Sequence, residues 1–356
     1  MKKFDQSMID NFVDISMSRK PDFNNLLKVL DKKKPDRYTL FEFFLNEELY
    51  MRFSRAKEYP KTGSDYNKMR IDAFRGAGYD YCTLSSSGFY LKNNANQHNM
   101  KSRSMNECSI IEDRETYNQY IWNNPEDFSM DALLSIEDYV PEGMKIIVNG
   151  PGGVLENVMQ ILGYDNMCYL LADDPQLVQD VFDHVGSRLL KYYEMVLPLD
   201  FVGAYISNDD WGFNTQTMMS VEDMRKYVFP WHKRIVDAVH GISKPVILHS
   251  CGNLKDVYDD IIDYINFDAK HSYEDLIQPI EQAYEMLNPR IAVVGGIDVD
   301  FMVRRSPEEI YERSCAMLLQ TESKGGYALG TGNSVPTYIP AENYIAMAVA
   351  AVVNSL

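Results

Sequence analysis

The sequence predicts an α/β protein, a (β/α)8 barrel. From about residue 145 to the C-terminus, short continuous apolar runs ending in Gly, Asn, Asp or Ser alternate with longer amphipathic stretches. Continuous apolar strands separated by helices are typical of a parallel sheet that is covered on both faces. An open doubly wound sheet is the weaker alternative, because no GxGxxG motif follows an early strand. The 356 residues accommodate one such barrel with insertions.

Seven short apolar runs supply the candidate strands, and the eighth strand is expected near the N-terminus. Residues 37–44, with the sequence RYTLFEFF, are expected to contribute a first short strand or an entry segment. The seven runs are residues 78–84, 145–148, 201–206, 245–249, 266–271, 290–294 and 326–330.

The remaining segments are predicted from their polarity and from local helix signals. Residues 1–65 predict a helical N-terminal extension, and residues 85–140, rich in Asn, Ser and Asp, predict an insertion made of a hairpin and loops. The segments Ser220–Asp223 and Ser306–Glu309 each place a serine three residues before an acid, which is typical of a helix N-terminus. No linker or internal repeat divides the chain, so we expect a single domain over residues 1–356.

The charge balance limits the classes of partner. The chain has 35 basic and 52 acidic residues and a net charge of −17. Nucleic-acid binding depends on Lys and Arg side chains that neutralise phosphates, so we expect no nucleic-acid partner. The same balance disfavours a substrate with many carboxylates, unless basic side chains are concentrated locally.

Cysteine usage and hydropathy indicate the compartment. The five cysteines are scattered and form no CxxC pair, so a reducing cytoplasm fits better than a disulfide framework. The charged N-terminus lacks the apolar segment of a signal peptide, and no apolar run has the length of a membrane span. We therefore expect a cytoplasmic protein with no membrane partner. The cysteines are Cys82, Cys108, Cys168, Cys251 and Cys315.

Polar residues that suit binding or catalysis follow one apolar run after another. In a parallel barrel the carboxyl ends of the strands meet on one face, where the βα loops form the site. A packing requirement does not explain polar side chains at six successive strand ends, so this face is the predicted site for a small-molecule substrate. The residues are Asn149, Asn208, Asp209, Asp210, Trp211, His249, Cys251, Asn253, His271, Asp298, Thr331 and Asn333.

His249 and Cys251 form the most specific pair in this set. Residues i and i+2 of an extended strand point to the same side, so both side chains can reach one metal ion. Imidazole and thiolate are ligands that suit Zn²⁺. The alternative is a buried cysteine beside a hydrogen-bonded histidine at a strand end.

Asp209 and Asp210 place two adjacent carboxylates in one strand-end loop. Such a pair can hold a cation, orient a histidine or carry out acid–base catalysis if one pKa is raised. The alternative is a turn cluster, since Asp favours turns. The glycine-rich segment 150–153 precedes a helix and is either an anion site or a tight turn. His232 and His240 lie within a predicted helix, where a surface or core role is expected.

From residue 145 to about residue 350, the chain resembles the uroporphyrinogen decarboxylase superfamily. That family implies a (β/α)8 barrel and includes both the decarboxylase of haem synthesis and zinc-dependent methyltransferases that act with corrinoid proteins. The segments that carry the resemblance are KIIVNGPGG at 145–153, DDPQLVQDVFDHVGSRLL at 173–190, FPWHKRIVDAVHGISKPVILHSCGN at 229–253, GGIDV at 295–299 and LGTGNSVPTYIPAEN at 329–343.

Two departures distinguish the branches of this superfamily. The decarboxylase branch carries an arginine-rich segment similar to MRQAGR, and residues 69–78, MRIDAFRGAG, lack that pattern. The methyltransferase branch carries His-x-Cys at a strand end, as at His249 and Cys251, and a further Cys about 75 residues later. Thr331 stands at that later position, so a His/Cys/Cys zinc site would lack its last thiolate.

The resemblance implies a methyltransferase that moves a methyl group between a small methylated compound and a corrinoid protein or thiol. In this hypothesis zinc binds His249 and Cys251, Asp209 or Asp210 completes the coordination or acts as acid or base, and His271 takes part in catalysis. Family members are often homodimers. The alternatives are decarboxylation of a carboxylated, porphyrinogen-like substrate without a metal, and a non-catalytic barrel that binds a corrinoid or a partner. The expected substrate contacts are Asn149, Tyr205, Asn208, Trp211, Asn253, Thr331 and Asn333.

Overall fold

The structure is a computed structural model, and it describes residues 1–60, 63–92 and 109–355. In these residues seven strands form one sheet, and each strand pairs in parallel with the next along the chain. The strands are β1 (Tyr81–Ser85), β2 (Lys145–Asn149), β3 (Val202–Asn208), β4 (Val246–His249), β5 (Ala269–His271), β6 (Ala292–Val294) and β7 (Tyr327–Ala328).

An eighth segment lies between β7 and β1 and completes the barrel. Leu40 forms a parallel bridge with Leu329, and the Phe41 amide donates to the Leu329 carbonyl over 2.8 Å. On the other side, the segment is joined to β1 through a side chain. The hydroxyl Tyr81 Oη of β1 donates to the backbone carbonyl of Glu42 over 2.8 Å. The prediction of an N-terminal strand within residues 37–44 is therefore confirmed as a short bridging segment.

Helices cover the outer surface of the sheet, and their apolar faces pack against it. Both helix starts predicted at these serines are confirmed: Ser306 caps its helix with a capping box, and the Ser220 side chain accepts from the Asp223 amide. The helices are α1 (Gln6–Asp10), α2 (Phe12–Met17), α3 (Asn24–Leu30), α4 (Glu47–Ser54), α5 (Gly63–Gly76), α6 (Arg114–Gln119), α7 (Asp131–Leu134), α8 (Val154–Leu162), α9 (Tyr164–Asp173), α10 (Pro175–Glu194), α11 (Val221–Asp223), α12 (Phe229–His240), α13 (Ile280–Leu287), α14 (Val299–Arg304), α15 (Pro307–Thr321) and α16 (Ala341–Val353).

Shorter helical turns link these elements. Within the described residues, three are 3-10 turns and two are π turns, one of which joins α11 to α12. The 3-10 turns are Pro125–Asp127, Glu137–Tyr139 and Lys255–Val257, and the π turns are Met224–Val228 and Asp260–Ile265.

The insertion predicted over residues 85–140 contains short helices where the structure describes it. α6 and α7 lie in residues 109–140, and the predicted hairpin is not found in the described part of the insertion; residues 93–108 lie outside it. Trp122 stacks on His184 of α10 with ring centroids 4.5 Å apart. This contact attaches the insertion to the helix layer.

A buried charge cluster stabilises the opposite, N-terminal end of the barrel. Asp80 directly precedes β1, and its side chain is 2% exposed. Its carboxylate pairs with Arg37 and with Arg19, the latter over 3.7 Å, and accepts from the Asp22 amide over 2.9 Å. Because the Arg19 guanidinium is buried, the cluster depends on Asp80 for its charge balance.

In the part of the chain that the structure describes, no helix combines the length and the apolar character that a membrane crossing requires.

Candidate metal centre at the carboxyl ends of the strands

Three polar side chains lie side by side where β3, β4 and β5 end. Asn208 pairs in register with His249, and His249 pairs with His271. Paired residues of adjacent parallel strands point to the same side of a sheet. Ser207 points the other way, since its hydroxyl contacts His232 of the covering helix α12 over 2.9 Å. Asn208, His249 and His271 therefore face the inside of the barrel.

Asp210, His249 and Cys251 form a candidate metal site. Each offers one ligand atom, and the three atoms lie within 4.8 Å of one another. The Cys251 amide donates to Asp210 Oδ1 over 3.2 Å, which joins the two loops that carry them. One nitrogen, one sulfur and one oxygen ligand are a donor set that zinc accepts, and a tetrahedral ion would keep one position open. The residues present thus fit a catalytic zinc ion.

The Cys251 thiol is held by two donors. The Ser272 hydroxyl and the Asn333 side-chain amide lie 3.3 Å and 3.2 Å from its Sγ. Ser272 has a φ of 83°, a left-handed conformation that is costly for a residue with a side chain. Burial, with Asp210 nearby, raises the pKa of the Cys251 thiol to about 12. A divalent cation would displace this proton, because metal binding requires the thiolate.

The hydrogen bonds of His271 determine which nitrogen of His249 is free. His271 Nε2 lies 3.2 Å from the Thr331 carbonyl, which only accepts, so this nitrogen carries a proton. Burial lowers the pKa of His271 to about 3, so its Nδ1 is unprotonated. In the 2.7 Å contact between the two Nδ1 atoms, His249 must therefore donate. Burial also lowers the pKa of His249, and a neutral ring protonated on Nδ1 presents a bare Nε2 to a metal.

Gly295 makes room for this pair of histidines. It follows β6 with a φ of 76°, and a Cβ atom there would lie 2.6 Å from His271 Cδ2. Any side chain would displace the His271 ring or strain the backbone. The glycine at position 295 is thus explained by the site, whereas a Cβ atom at Gly296 would meet the side chain of Ile280.

Thr331, at the position of the expected third thiolate, faces another group. Its hydroxyl lies 2.9 Å from Glu42 Oε2 and also contacts the Asn333 carbonyl, and its amide donates to Glu42 Oε1 over 2.7 Å. Burial raises the pKa of Glu42 to about 8. Sequence analysis assigned no role to Glu42, although a single acid within the apolar run LFEFF is a signal that could have identified it.

Asp209 and Asp210 separate into different roles. Asp209 is 1% exposed, and its carboxylate accepts from the Leu155 and Glu156 amides, each over 2.9 Å. It also contacts His232 Nε2 over 2.9 Å, and of the surface and core roles expected for His232 the structure shows the core one. Asp209 therefore occupies the N-terminus of α8, the location that the glycine-rich segment suggested for an external anion. Only Asp210 of this pair belongs to the group of three metal ligands.

Glu156 and Lys270 are two ionisable residues that the sequence analysis did not single out. Burial raises the pKa of Glu156 to about 8, and the charges of Asp209 and Asp210 contribute. The Lys270 amine donates to the Ser272 carbonyl over 2.6 Å and lies 4.3 Å from the centre of the Tyr273 ring. Burial lowers the pKa of Lys270 to about 8. Both groups lie close to the ligand loops, and each has a pKa near neutrality.

Tyr205 and Trp211, expected to line the pocket, are directed into the helix layer instead. Tyr205 is fully buried, and its hydroxyl donates to the Val196 carbonyl over 3.1 Å. Trp211 is fully buried with its ring 4.9 Å from His232 and 5.1 Å from Phe229. For Tyr205 the physical reason is that successive side chains of a strand point to opposite faces, which places Tyr205 on the same face as Ser207.

The four asparagines expected to bind substrate occupy different environments, and one of them, Asn333, holds the Cys251 sulfur as described above. Asn149 ends β2 and donates to Ser85 Oγ over 3.3 Å. Asn253 supports the loop before α11, since its amide nitrogen atoms donate to the Phe213 and Thr215 carbonyls. Among these asparagines, Asn208 keeps a buried side-chain oxygen without a hydrogen-bond partner in the described structure, and it lies in register with His249. Asn208 is therefore the asparagine best placed to contact a ligand.

The chain is similar to known methyltransferases in sequence and in fold. A sequence segment of 181 residues is 26% identical to the methylated-thiol–coenzyme M methyltransferase of Methanosarcina mazei. The match covers 49% of this chain and spans about half (46%) of the length of that protein. The solved structure of a methyltransferase from Methanosarcina mazei superposes with a TM-score of 0.68 at 15% identity, over 92% of this chain and 96% of the other, which shows the same fold.

The family model for uroporphyrinogen decarboxylase matches residues 113–353. This range includes the six strands β2 to β7, and it contains all three members of the candidate metal site. The predicted resemblance is confirmed, and the chain belongs to the uroporphyrinogen decarboxylase family.

Proposed function

We propose that this protein is a methyltransferase that moves a methyl group between a small methylated substrate and an acceptor. The observation that carries the proposal is the convergence of Asp210, His249 and Cys251 within 4.8 Å of one another at the carboxyl ends of the strands. The resemblance to a methylated-thiol–coenzyme M methyltransferase supports methyl transfer as the reaction. It also supports a thiol as one of the two reactants, and a corrinoid protein is the methyl carrier that we propose as a partner.

Asp210, His249 and Cys251 would hold a zinc ion in this protein. When bound, the ion would supply Lewis acidity that polarises the heteroatom next to the methyl group or lowers the pKa of a thiol. His271 fixes the ring of His249, and Asn333 fixes the sulfur of Cys251 through its side-chain amide. These contacts keep the ligand atoms in place without a movement of the backbone.

Asn208 and Glu156 are the groups that we propose to act on the substrate. Asn208 presents its unpaired amide oxygen beside His249 and would accept a hydrogen bond from a substrate N–H or O–H. Glu156 retains a proton near neutral pH, because burial and the charges of Asp209 and Asp210 raise its pKa to about 8. A carboxyl that is protonated at the working pH can donate that proton to a leaving group.

A cavity beside the site gives a small substrate room to approach. It has a volume of about 550 Å³ and is lined in part by Tyr273, Asp298, Phe301, Asn333 and Tyr338. Asn333 belongs both to this lining and to the hydrogen bond with Cys251, so the cavity adjoins the candidate metal site. A mixed aromatic and polar lining of this size suits a small organic molecule.

The charges around the site favour methyl transfer over decarboxylation of a substrate with many carboxylates. Asp210 contributes an acidic group, and Lys270 is engaged by backbone carbonyls. Arg313, near the cavity, is paired with Asp275 over 2.6 Å. A substrate with many carboxylates loses its hydration on binding and would need Lys or Arg side chains without acidic partners to compensate for that loss.

Methyl-transfer assays on purified protein test the proposal. The substrates are methylated thiols, methylamines and methyl ethers, with free cobalamin or a thiol as acceptor and with zinc supplied. We expect turnover of at least one substrate by the wild type and its loss in His249→Ala. The matched control is His240→Ala, which removes a histidine that contacts Asp268 away from the ligand group. Equal turnover by wild type and His249→Ala would refute the metal mechanism.

A further inference from the structure

Glu42 is a fully buried carboxyl group for which the proposed chemistry gives no direct role. It lies in the segment that closes the barrel between β7 and β1. Its two carboxyl oxygens contact only one residue by hydrogen bonds in the described structure, the amide and the hydroxyl of Thr331, at 2.7 Å and 2.9 Å. No ion pair of Glu42 with a described Lys, Arg or His balances a charge there. A buried acid without a cation is costly when ionised, so its presence requires an explanation.

The contacts of the Thr331 hydroxyl point to a proton on Glu42. The Thr331 hydroxyl contacts two oxygens, Glu42 Oε2 and the Asn333 carbonyl. A hydroxyl has one proton, and the Asn333 carbonyl can only accept it. The contact with Glu42 Oε2 is then a hydrogen bond only if the carboxyl donates to Thr331 Oγ1. Glu42 Oε1 meanwhile accepts from the Thr331 amide. Burial, which raises the pKa of Glu42 to about 8, favours the same neutral state.

Thr331 connects Glu42 to the histidine of the candidate metal site. The Thr331 carbonyl accepts from His271 Nε2 over 3.2 Å, and His271 Nδ1 accepts from His249 Nδ1 over 2.7 Å. Each step defines the protonated nitrogen of the next ring. The position of one peptide group at Thr331 therefore determines which nitrogen of His249 is available.

The same threonine connects Glu42 to the cysteine of the site. The Thr331 hydroxyl donates to the Asn333 carbonyl, and the Asn333 side-chain amide donates to Cys251 Sγ over 3.2 Å. Gly330 permits this close assembly, because a Cβ atom there would lie 1.7 Å from the Phe41 carbonyl oxygen and 3.3 Å from Glu42 Oε1. One buried acid is thus connected, through hydrogen bonds of Thr331, to both the His249 imidazole and the Cys251 sulfur.

We propose that Glu42, held as a neutral carboxylic acid, is a positioning residue that orients His249 and Cys251 through Thr331. The inference rests on the proposed function, since it assigns these two side chains as metal ligands. It also explains why a threonine occupies the position of a third thiolate. The hydroxyl holds the ligand framework and does not itself serve as a ligand.

Two substitutions of Glu42 distinguish its positioning role from a requirement for a side chain of its size at this position. Glu42→Gln retains one acceptor for the Thr331 amide and one donor for Thr331 Oγ1, so it reproduces the neutral acid. Glu42→Leu is of similar size and provides neither hydrogen bond. Side chains that anchor metal ligands in this way typically change metal affinity by about 10- to 100-fold when they are removed.

Nitrogen-15 NMR of labelled histidine rings in the metal-free protein reads out the positioning directly. The chain has six histidines, so the resonances can be assigned by single substitutions. We expect His249 protonated on Nδ1 and His271 on Nε2 in the wild type and in Glu42→Gln, and mixed tautomers in Glu42→Leu. Unchanged tautomers in a folded Glu42→Leu variant would overturn the inference.

Zinc titration against a competing chelator gives the second readout and distinguishes the two proposals. We expect Glu42→Gln to bind like the wild type and Glu42→Leu to bind at least about tenfold more weakly. If Glu42→Leu does not fold, the variants Thr331→Ser and Thr331→Val replace it. We expect weaker zinc binding only for Thr331→Val, because serine keeps the hydroxyl. Equal zinc affinities of these two variants would overturn the inference. A wild type that has the expected tautomers but binds no zinc would contradict the proposed function and leave the positioning of the histidines established.

Discussion

Replacing Glu42 with glutamine should change how the stability of the protein depends on pH. Burial raises the pKa of Glu42 to about 8, whereas the pKa of an ordinary glutamate is about 4.5. Between these limits the native state binds more protons than the unfolded state, so the contribution of Glu42 to stability falls as pH rises. For one such group the free energy of unfolding falls by about 1.4 kcal/mol for each pH unit, and this loss is complete above pH 8.

The magnitude follows from the fully buried position of the carboxyl group. Between pH 5 and pH 7.5 the wild type should lose about 3 kcal/mol relative to Glu42→Gln, which cannot ionise and keeps both hydrogen bonds to Thr331. The difference in free energy of unfolding between the two proteins is the quantity to measure, because the titration of other groups cancels.

Urea unfolding of both metal-free proteins at half-unit pH intervals measures this difference. Substitution of the exposed Glu308 by glutamine is the control for removing one surface carboxylate. A difference that stays constant within about 0.5 kcal/mol from pH 5 to pH 7.5 would show that Glu42 is ionised in the folded state. The proton assignment at Thr331 would then be wrong.

Three further substitutions give separate tests. Asp80→Ala leaves the buried Arg19 without a carboxylate and should lower the free energy of unfolding by about 3–5 kcal/mol with zinc binding retained, as measured by urea unfolding; a loss below about 1 kcal/mol would contradict this. Thr331→Cys should weaken zinc binding, because the side chain faces Glu42; tighter binding in a chelator competition would show that the position can supply a ligand. Tyr205→Phe should cost about 1 kcal/mol of stability and leave the KM for substrate unchanged, since its hydroxyl bonds to the Val196 carbonyl; a changed KM would place Tyr205 in the pocket.

The sequence predicted the features that depend on local pattern. Alternating apolar runs and helix caps predicted the parallel strands and the helices between them. The ends of β4 and β5 supplied His249 and His271, and Cys251 follows two residues after His249. The i, i+2 spacing of His249 and Cys251 placed both on one side of the strand end. The absence of a third thiolate at Thr331 was also visible, and the structure explains it through Glu42.

Features that depend on where a side chain points were harder to predict. Asp209 and Asp210 are adjacent, and only the folded loop shows that one caps α8 while the other joins the ligand group. Tyr205 could have been assigned correctly, because it is an odd number of residues from Asn208 and therefore lies on the opposite face of β3. Glu42 contacts Thr331 across 289 positions of the chain, a separation that no local pattern reports.

The most direct test of the account is the zinc content of the protein purified without chelators, measured by elemental analysis beside the His249→Ala variant. The geometry of Asp210, His249 and Cys251 predicts about one zinc ion per wild-type chain and none that survives dialysis in the variant. A wild type without zinc that also fails to take it up, or a variant that retains the same content as the wild type, would contradict the candidate metal site.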